Sequence, residues 1–270
     1  MEMAAKSGAL LFLQAQHQFA MSTLIKLLPN QTVAAVLKEV VLRKQGFAVA
    51  LAANRQIMQV TATPNGFALS GKLLWVTGYH FFQRLLISFD HEGKIYFAWI
   101  SFFALSAHGG SLQISDRIDT AVFTATHTVS VTFDHWHIPH QEILAIHPTM
   151  AKVPYEHPAI YNFAGAAIAL LDIAMAGKFK EATKVQQTHA MLLQEWQNYY
   201  DKIIQGDTCP LTLRAEGLTL AERCGNFARI VCGSAGLLND NALTRINREI
   251  WQYTIAGFGK EQLEAYLNNA

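Results

Sequence analysis

The sequence predicts an α+β protein: a short helical start, a β-rich middle and a helical bundle at the end. Three observations carry that expectation. Apolar residues recur at helical intervals at the start of the chain and again after Pro158. From Phe47 to about Ala145, Val, Ile, Phe, Thr and Trp dominate, punctuated by turn signals, as in an antiparallel sandwich or barrel. Finally, 51% of the 270 residues are hydrophobic and 15% are charged, so the chain can build a substantial core.

The same composition limits the function classes. A low charged share points to surface buried against other subunits. The net charge of +1 gives no electrostatic case for nucleic acid or an anionic membrane. No apolar run approaches the length of a bilayer-spanning helix, since Asp172 interrupts the best one, Phe163 to Ala176. Glu2 stands where a basic signal region would lie, so no signal peptide is expected. Cys209, Cys224 and Cys232 lack metal-ligand spacing and read as reduced thiols of a cytoplasmic protein.

Taken in order, Ala9, Leu10, Phe12, Leu13, Phe19, Ala20 and Leu24 predict a first helix. Pro29-Asn30 breaks it, and a second helix runs from Gln31-Thr32 through Leu42 to an end at Gly46. Turns at Pro64-Asn65-Gly66, His91-Glu92-Gly93 and His108-Gly109-Gly110 divide the β region. Thr124 to Phe133 alternates, with Ala125, His127, Val129 and Val131 on one face. Pro139 ends that region, and a linker bearing Pro follows from His147 to Pro158. Ile160 to Ala182 is a long apolar helix whose small residues, Ala164 to Ala167, let another helix approach closely. Further helices are expected at Thr183 to Ile204, Leu218 to Val231, Ala242 to Ile255 and Glu261 to Leu267. The implied domains are 1–45, 46–146 and 159–270, with a linker at 147–158.

Gly71-Lys72-Leu73-Leu74-Trp75-Val76-Thr77-Gly78 is the stretch that points to chemistry. On a strand of period two, Trp75 and Thr77 share a face. The indole can cover a flat heteroaromatic ring while the hydroxyl bonds its edge. A core Trp beside a strand Thr is the alternative reading. His135 and His137 can share a face and, with His127, offer three nitrogens to zinc, but no Cys is nearby and solvated or hydrogen-bonded histidines, with no metal, are the expected outcome. No nucleophile stands beside a positioned base, so hydrolysis has no support.

In element order and motif spacing the chain resembles the acyl-CoA dehydrogenase family. The resemblance implies an N-terminal helical domain, here short, then a middle β domain and a C-terminal four-helix bundle that makes homodimers or homotetramers. Gly71 to Gly78 is similar to the family's flavin strand, whose Trp packs on the FAD ring and whose Thr bonds near N5. Thr124 to Pro139 resembles its last β-domain strand. Cys232-Gly233-Ser234-Ala235-Gly236, followed by Arg245 to Arg248-Glu249, resembles the glycine turn and basic segment that approach the adenosine side of a neighbouring subunit's FAD. The implied cofactor contacts are Trp75, Val76, Thr77, Gly233, Gly236, Arg245 and Arg248. The implied substrate is an acyl-CoA or a related small molecule, and the implied activity is that of an FAD-dependent oxidoreductase.

Four departures qualify the activity. The earliest helices of the family's N-terminal domain have no counterpart. The family's Ser-bearing flavin loop is replaced by Leu51-Ala52-Ala53-Asn54-Arg55-Gln56, where Arg55 is either a phosphate ligand or a solvated loop residue. The family's Glu base, about nine residues beyond Arg248, falls on Gly257, which cannot take a proton. In other members the base sits on the first long C-terminal helix, where the acids available are Asp172 and Glu181; Asp172 is either a buried base or a residue that pairs with a neighbouring helix or points to solvent, and the catalytic residue stays unassigned. The residues that hold CoA have no match in Tyr161 to Gly165. A non-catalytic homologue and a flavin-dependent monooxygenase of the same fold are therefore the alternatives.

Overall fold

A computed structural model describes residues 3, 6–51, 58–107, 109–148, 159–206, 208–239, 241–255 and 260–267. These form a mixed α and β protein with two sheets. The chain divides into two compact units, Phe12–Tyr155 and Met1–Leu11 with Glu156–Ala270.

Helices α1 (Gly8–Leu27) and α2 (Asn30–Arg43) open the chain. Pro29 separates them with a φ of −57°, which suits the residue before a helix. The second helix ends earlier than Gly46 suggests: Lys44 takes the left-handed conformation, with φ 50°, and its N–H donates to the carbonyls at the helix end. The strands are β1 (Phe47–Ala50), β2 (Gln59–Thr63), β3 (Gly66–Val76), β4 (Arg84–His91) and β5 (Lys94–Ser101). They continue with β6 (Leu105–Ala107), β7 (Gly110–Ile114), β8 (Val129–Pro139) and β9 (Ile143–Pro148). One sheet has the order β1-β4-β5-β9 and the other β2-β3-β8-β7-β6. Only β1 and β4 pair in parallel among these strands, from Phe47 opposite Arg84 to Ala50 opposite Ile87.

Both sheets share one core. Leu85, Ile87 and Phe89 on β4 pack with Leu69 and Leu73 on β3 and with Val131 and Phe133 on β8. The intervening Leu86 joins a second cluster with Ala20 and Leu24 of α1, Val36 and Val40 of α2, and Phe47. Strand β4 is thus buried on both faces, which is why its sequence, RLLISFDH, reads as an apolar run rather than an alternation. The expected strand from Thr124 begins only at Val129. Thr124–Thr126 is a short 3-10 turn, and left-handed backbone at Phe123 and His127 brackets it. The expected linker overlaps β9 at His147 and Pro148, and its remainder lies outside the described residues.

In the other unit, α3 (Ala159–Met175) packs against α4 (Thr183–Gln205), α5 (Pro210–Cys232) and α6 (Ala242–Ile255), and α7 (Lys260–Leu267) lies on α5. The small residues of α3 are what permit this: Ala164, Ala166 and Ala167 are fully buried. The Trp196 indole N–H on α4 donates to the Ala164 carbonyl at 2.8 Å, and the Tyr199 hydroxyl donates to the Ile160 carbonyl at 3.2 Å. Helix α3 stops short of the expected Ala182. The N–H groups of Ala176 and Gly177 reach back three residues, to Ile173 and Ala174, and close the helix with a tight turn. Among the described residues, no helix is long and apolar enough to cross a membrane.

Candidate functional site

The end of β3 does not follow the simple strand alternation. Pairing with β8 jumps from Leu73 opposite Val131 to Val76 opposite Val129, so Leu74 and Trp75 bulge opposite Ser130. Trp75 takes a left-handed backbone with φ 60°, an uncommon state for a bulky residue. The bulge turns the indole outward, 62% exposed, whereas Thr77 is 6% exposed. The shared face expected of Trp75 and Thr77 therefore does not form, because the extra residue breaks the period of two. Val76 is wholly buried and belongs to the core.

Beneath Thr77 lies a chain of threonine hydroxyls. Thr77 Oγ1 is 3.0 Å from Thr128 Oγ1, which is 3.3 Å from Thr126 Oγ1. The Thr126 hydroxyl donates to the Phe123 carbonyl at 2.7 Å. Two backbone bonds tie the same loops together, Gly78 N–H to the Thr126 carbonyl at 2.9 Å and Tyr79 N–H to the His127 carbonyl at 3.2 Å. Phe123 in turn stacks on Phe12 of α1 with ring centroids 5.1 Å apart. His80, Phe123 and His127 share the left-handed conformation of Trp75. Strained non-glycine backbone of this kind persists where surrounding structure holds it, and it gathers at functional sites. The His127 ring also packs on those of His80 and the exposed Phe81, at 5.7 and 5.2 Å.

The helical unit carries a separate cavity of about 360 Å³ between α5 and α6, lined by Asn226, Arg229, Gly236, Arg248 and Trp251 among others. Gly233 caps α5 with φ 64°, its N–H on the Arg229 carbonyl. A β-carbon at Gly236 would lie 2.7 Å from Leu243 Cδ2, so a larger residue there would have to push that methyl group aside. What was expected as a glycine turn is a 3-10 helix, Gly233–Leu237. Two guanidiniums border the cavity: Arg229 bonds Asn226 Oδ1 and Arg248 bonds Asn239 Oδ1, both at 2.7 Å. Arg245 is engaged elsewhere, donating to both oxygens of Glu249 at 2.8 Å. That carboxylate is buried and also accepts the Gly8 N–H. Burial pushes its pKa up despite the opposing Arg245 charge and these hydrogen bonds.

Sequence reasoning missed Arg229, Asn226 and Trp251. The signal was present in helical spacing: Arg248 and Trp251 are three apart on α6, Asn226 and Arg229 three apart on α5, so each pair shares a face. Of the two readings of Asp172, the solvent-facing one holds: it is exposed, as is Glu181. Gly257, Asn54 and Arg55 lie outside the described residues, while Glu261 falls in α7. His135 pairs with Asp134 at 2.8 Å, both exposed. Among the described residues, no cluster of three His, Cys, Asp or Glu side chains is arranged to hold a metal.

The fold is that of the acyl-CoA dehydrogenases. A glutaryl-CoA dehydrogenase solved with glutaryl-CoA superposes with a TM-score of 0.80 over 100% of this chain and 78% of its own, at 13% identity. Butyryl-CoA dehydrogenase from Megasphaera elsdenii gives 0.76 over 99% and 79%, also at 13% identity. The Mycobacterium smegmatis glutaryl-CoA dehydrogenase solved with FADH2 gives 0.76 over 94% and 73%, at 11% identity. No protein-family model matches the chain, and no curated protein matches its sequence.

Proposed function

We propose that this chain is an FAD-binding flavoprotein of the acyl-CoA dehydrogenase type, an oxidoreductase acting on an acyl-CoA or a related small molecule. The observation that carries the reading is Trp75. On this fold, a strained bulge holds a large indole out to solvent next to the buried Thr77 hydroxyl. An exposed aromatic face maintained against its own backbone preference suits a flat ring that covers it.

The donor set fits the cofactor in two places. Trp75 would cover the isoalloxazine, with Thr77 at its N5 edge. The cavity bounded by Gly236, Arg229 and Arg248 offers guanidinium groups and close backbone approach to the pyrophosphate and adenosine of a neighbouring subunit's FAD. Arg245 would act through Glu249, with Gly233 setting the turn. FAD, when bound, supplies the ring that accepts and returns electrons, and the protein orients it and keeps water away. Assembly through the C-terminal helices into a homodimer or homotetramer belongs to the same reading.

The exposure of Asp172 and Glu181 favours a second reading, in which the fold has lost α-proton abstraction. That leaves a flavin-dependent monooxygenase, which needs no such base, or a non-catalytic partner homologue. The absorption spectrum of the purified protein separates these. A flavin spectrum, or its appearance on adding FAD, supports the flavoprotein. Colourless protein that takes up no FAD leaves the non-catalytic homologue. Flavin that dithionite reduces but acyl-CoAs do not favours the oxygenase.

A further inference from the structure

The cavity of the helical unit has two unlike ends. Glu222, Asn226 and Arg229 line it from one face of α5, being four and three residues apart. About 10 Å of helix separates Glu222 from Arg229. Helix α6 runs antiparallel to α5: Arg214, early in α5, donates to the Tyr253 and Thr254 carbonyls late in α6, at 3.1 and 2.8 Å. Further along, a β-carbon on Gly225 would run into Asn247 Oδ1. One turn beyond Asn247, Trp251 therefore comes level with Glu222. Arg248 reaches back to Asn239 in the connection between the helices, so its guanidinium lies toward the Arg229 end. Glu222 accepts the Tyr266 hydroxyl of α7 and, among the described residues, forms no ion pair. An ionised carboxylate has about four lone-pair positions, so Tyr266 leaves most of them unused.

From this layout we infer that the cavity takes a nucleoside diphosphate whose ribose hydroxyls are free, and that Glu222 excludes one whose ribose is phosphorylated. The inference rests on the flavin reading above. The diphosphate pairs with the guanidiniums of Arg229 and Arg248. The base stacks on the exposed Trp251 indole. The ribose hydroxyls donate to Glu222. A phosphate on the ribose would meet that carboxylate instead, like charge against like charge. The adenosine half of FAD satisfies all three contacts. Coenzyme A carries the same diphosphate and the same base, but its ribose bears a phosphate, so the cavity turns it away.

The test is isothermal titration calorimetry of the whole chain, free of flavin, with ADP and with its 3′-phosphorylated form. It is run at about pH 8, because burial raises the Glu222 pKa and the carboxylate has to be ionised. Wild-type protein is expected to bind ADP about tenfold more tightly than the 3′-phosphate. Glu222→Gln keeps an acceptor for Tyr266 and removes the charge. The 3′-phosphate then gains affinity and the ratio falls below about threefold, a gain that damage to the fold does not produce. Glu222→Ala serves where Glu222→Gln does not fold. Arg248→Ala weakens both nucleotides about tenfold. In protein that takes up FAD, four results each overturn the inference and leave the flavoprotein intact: no binding of ADP, equal binding of the two nucleotides, an unchanged ratio in Glu222→Gln, or undiminished binding in Arg248→Ala. Wild-type protein that binds neither ADP nor FAD overturns the flavin reading and this inference with it.

Discussion

Trp75 is held in a conformation that glycine would adopt without cost, and this gives it a testable signature. Trp75→Gly is expected to raise stability by about 1 kcal/mol, by relieving the left-handed strain of an exposed side chain. It should weaken FAD uptake roughly tenfold, through loss of about 1.4 kcal/mol of ring contact. Urea unfolding and flavin titration measure the two effects, and a variant losing both stability and uptake would make Trp75 an ordinary structural residue. Glu249 makes the opposite kind of prediction. Its folded pKa lies above the ordinary 4.5, so the native state holds its proton more tightly than the unfolded chain does. Its contribution to stability is complete below 4.5 and is lost as pH rises through the raised value. Glu249→Gln should flatten that decline in a series of urea midpoints against pH. Arg245→Ala strands the buried carboxylate and should cost about 3 kcal/mol in the same measurement near neutral pH. Trp75 was legible as a candidate because Trp, Val and Thr stand together on a strand. Its backbone was not, because a positive φ at a bulky residue is imposed by the neighbouring strand rather than by local preference.

At the scale of elements, helix termini with local chemistry were readable and those set by packing were not. Pro29 and the α6 boundaries are examples of the first. The stop at Met175 is one of the second, since only the structure shows that a β-carbon on Gly177 would lie 3.0 Å from the Val231 carbonyl oxygen at the end of α5. Thr124 to Thr128 alternated convincingly, yet its hydroxyls bond one another and the local backbone instead of extending the ladder. The crossing of α4 and α5 supplies a prediction. A methyl group on Gly217 would run into the Tyr199 hydroxyl and lie 3.1 Å from Phe163 Cβ. Gly217→Ala should therefore destabilise by about 2 kcal/mol. Adding Tyr199→Phe opens that space, so the double variant should be more stable than the two single losses predict. Strictly additive thermal shifts would show that the two positions do not meet.

For the molecule as a whole, the order of helical start, β region and helical tail was enough to indicate the fold, because each texture has its own period. What it could not convey was the division of labour around Arg245 and Arg248. These residues sit three apart on one helix, yet one faces a carboxylate and the other a cavity. The thiols provide a readout of the helical unit. Cys209 is exposed, while Cys224 is buried with its thiol pushed up to about 12. Ellman's reagent should modify Cys209 in the native protein and reach Cys224 only when denaturant opens the helices. Rapid native labelling of Cys209→Ser protein at Cys224 would contradict that packing. The ring stack of Phe12 on Phe123 has a consequence of another kind. It lets the opening helix brace the last carbonyl of the threonine chain, so these positions form one heritable unit: a lineage that alters Phe12 is expected to alter Thr126 or Thr128 as well.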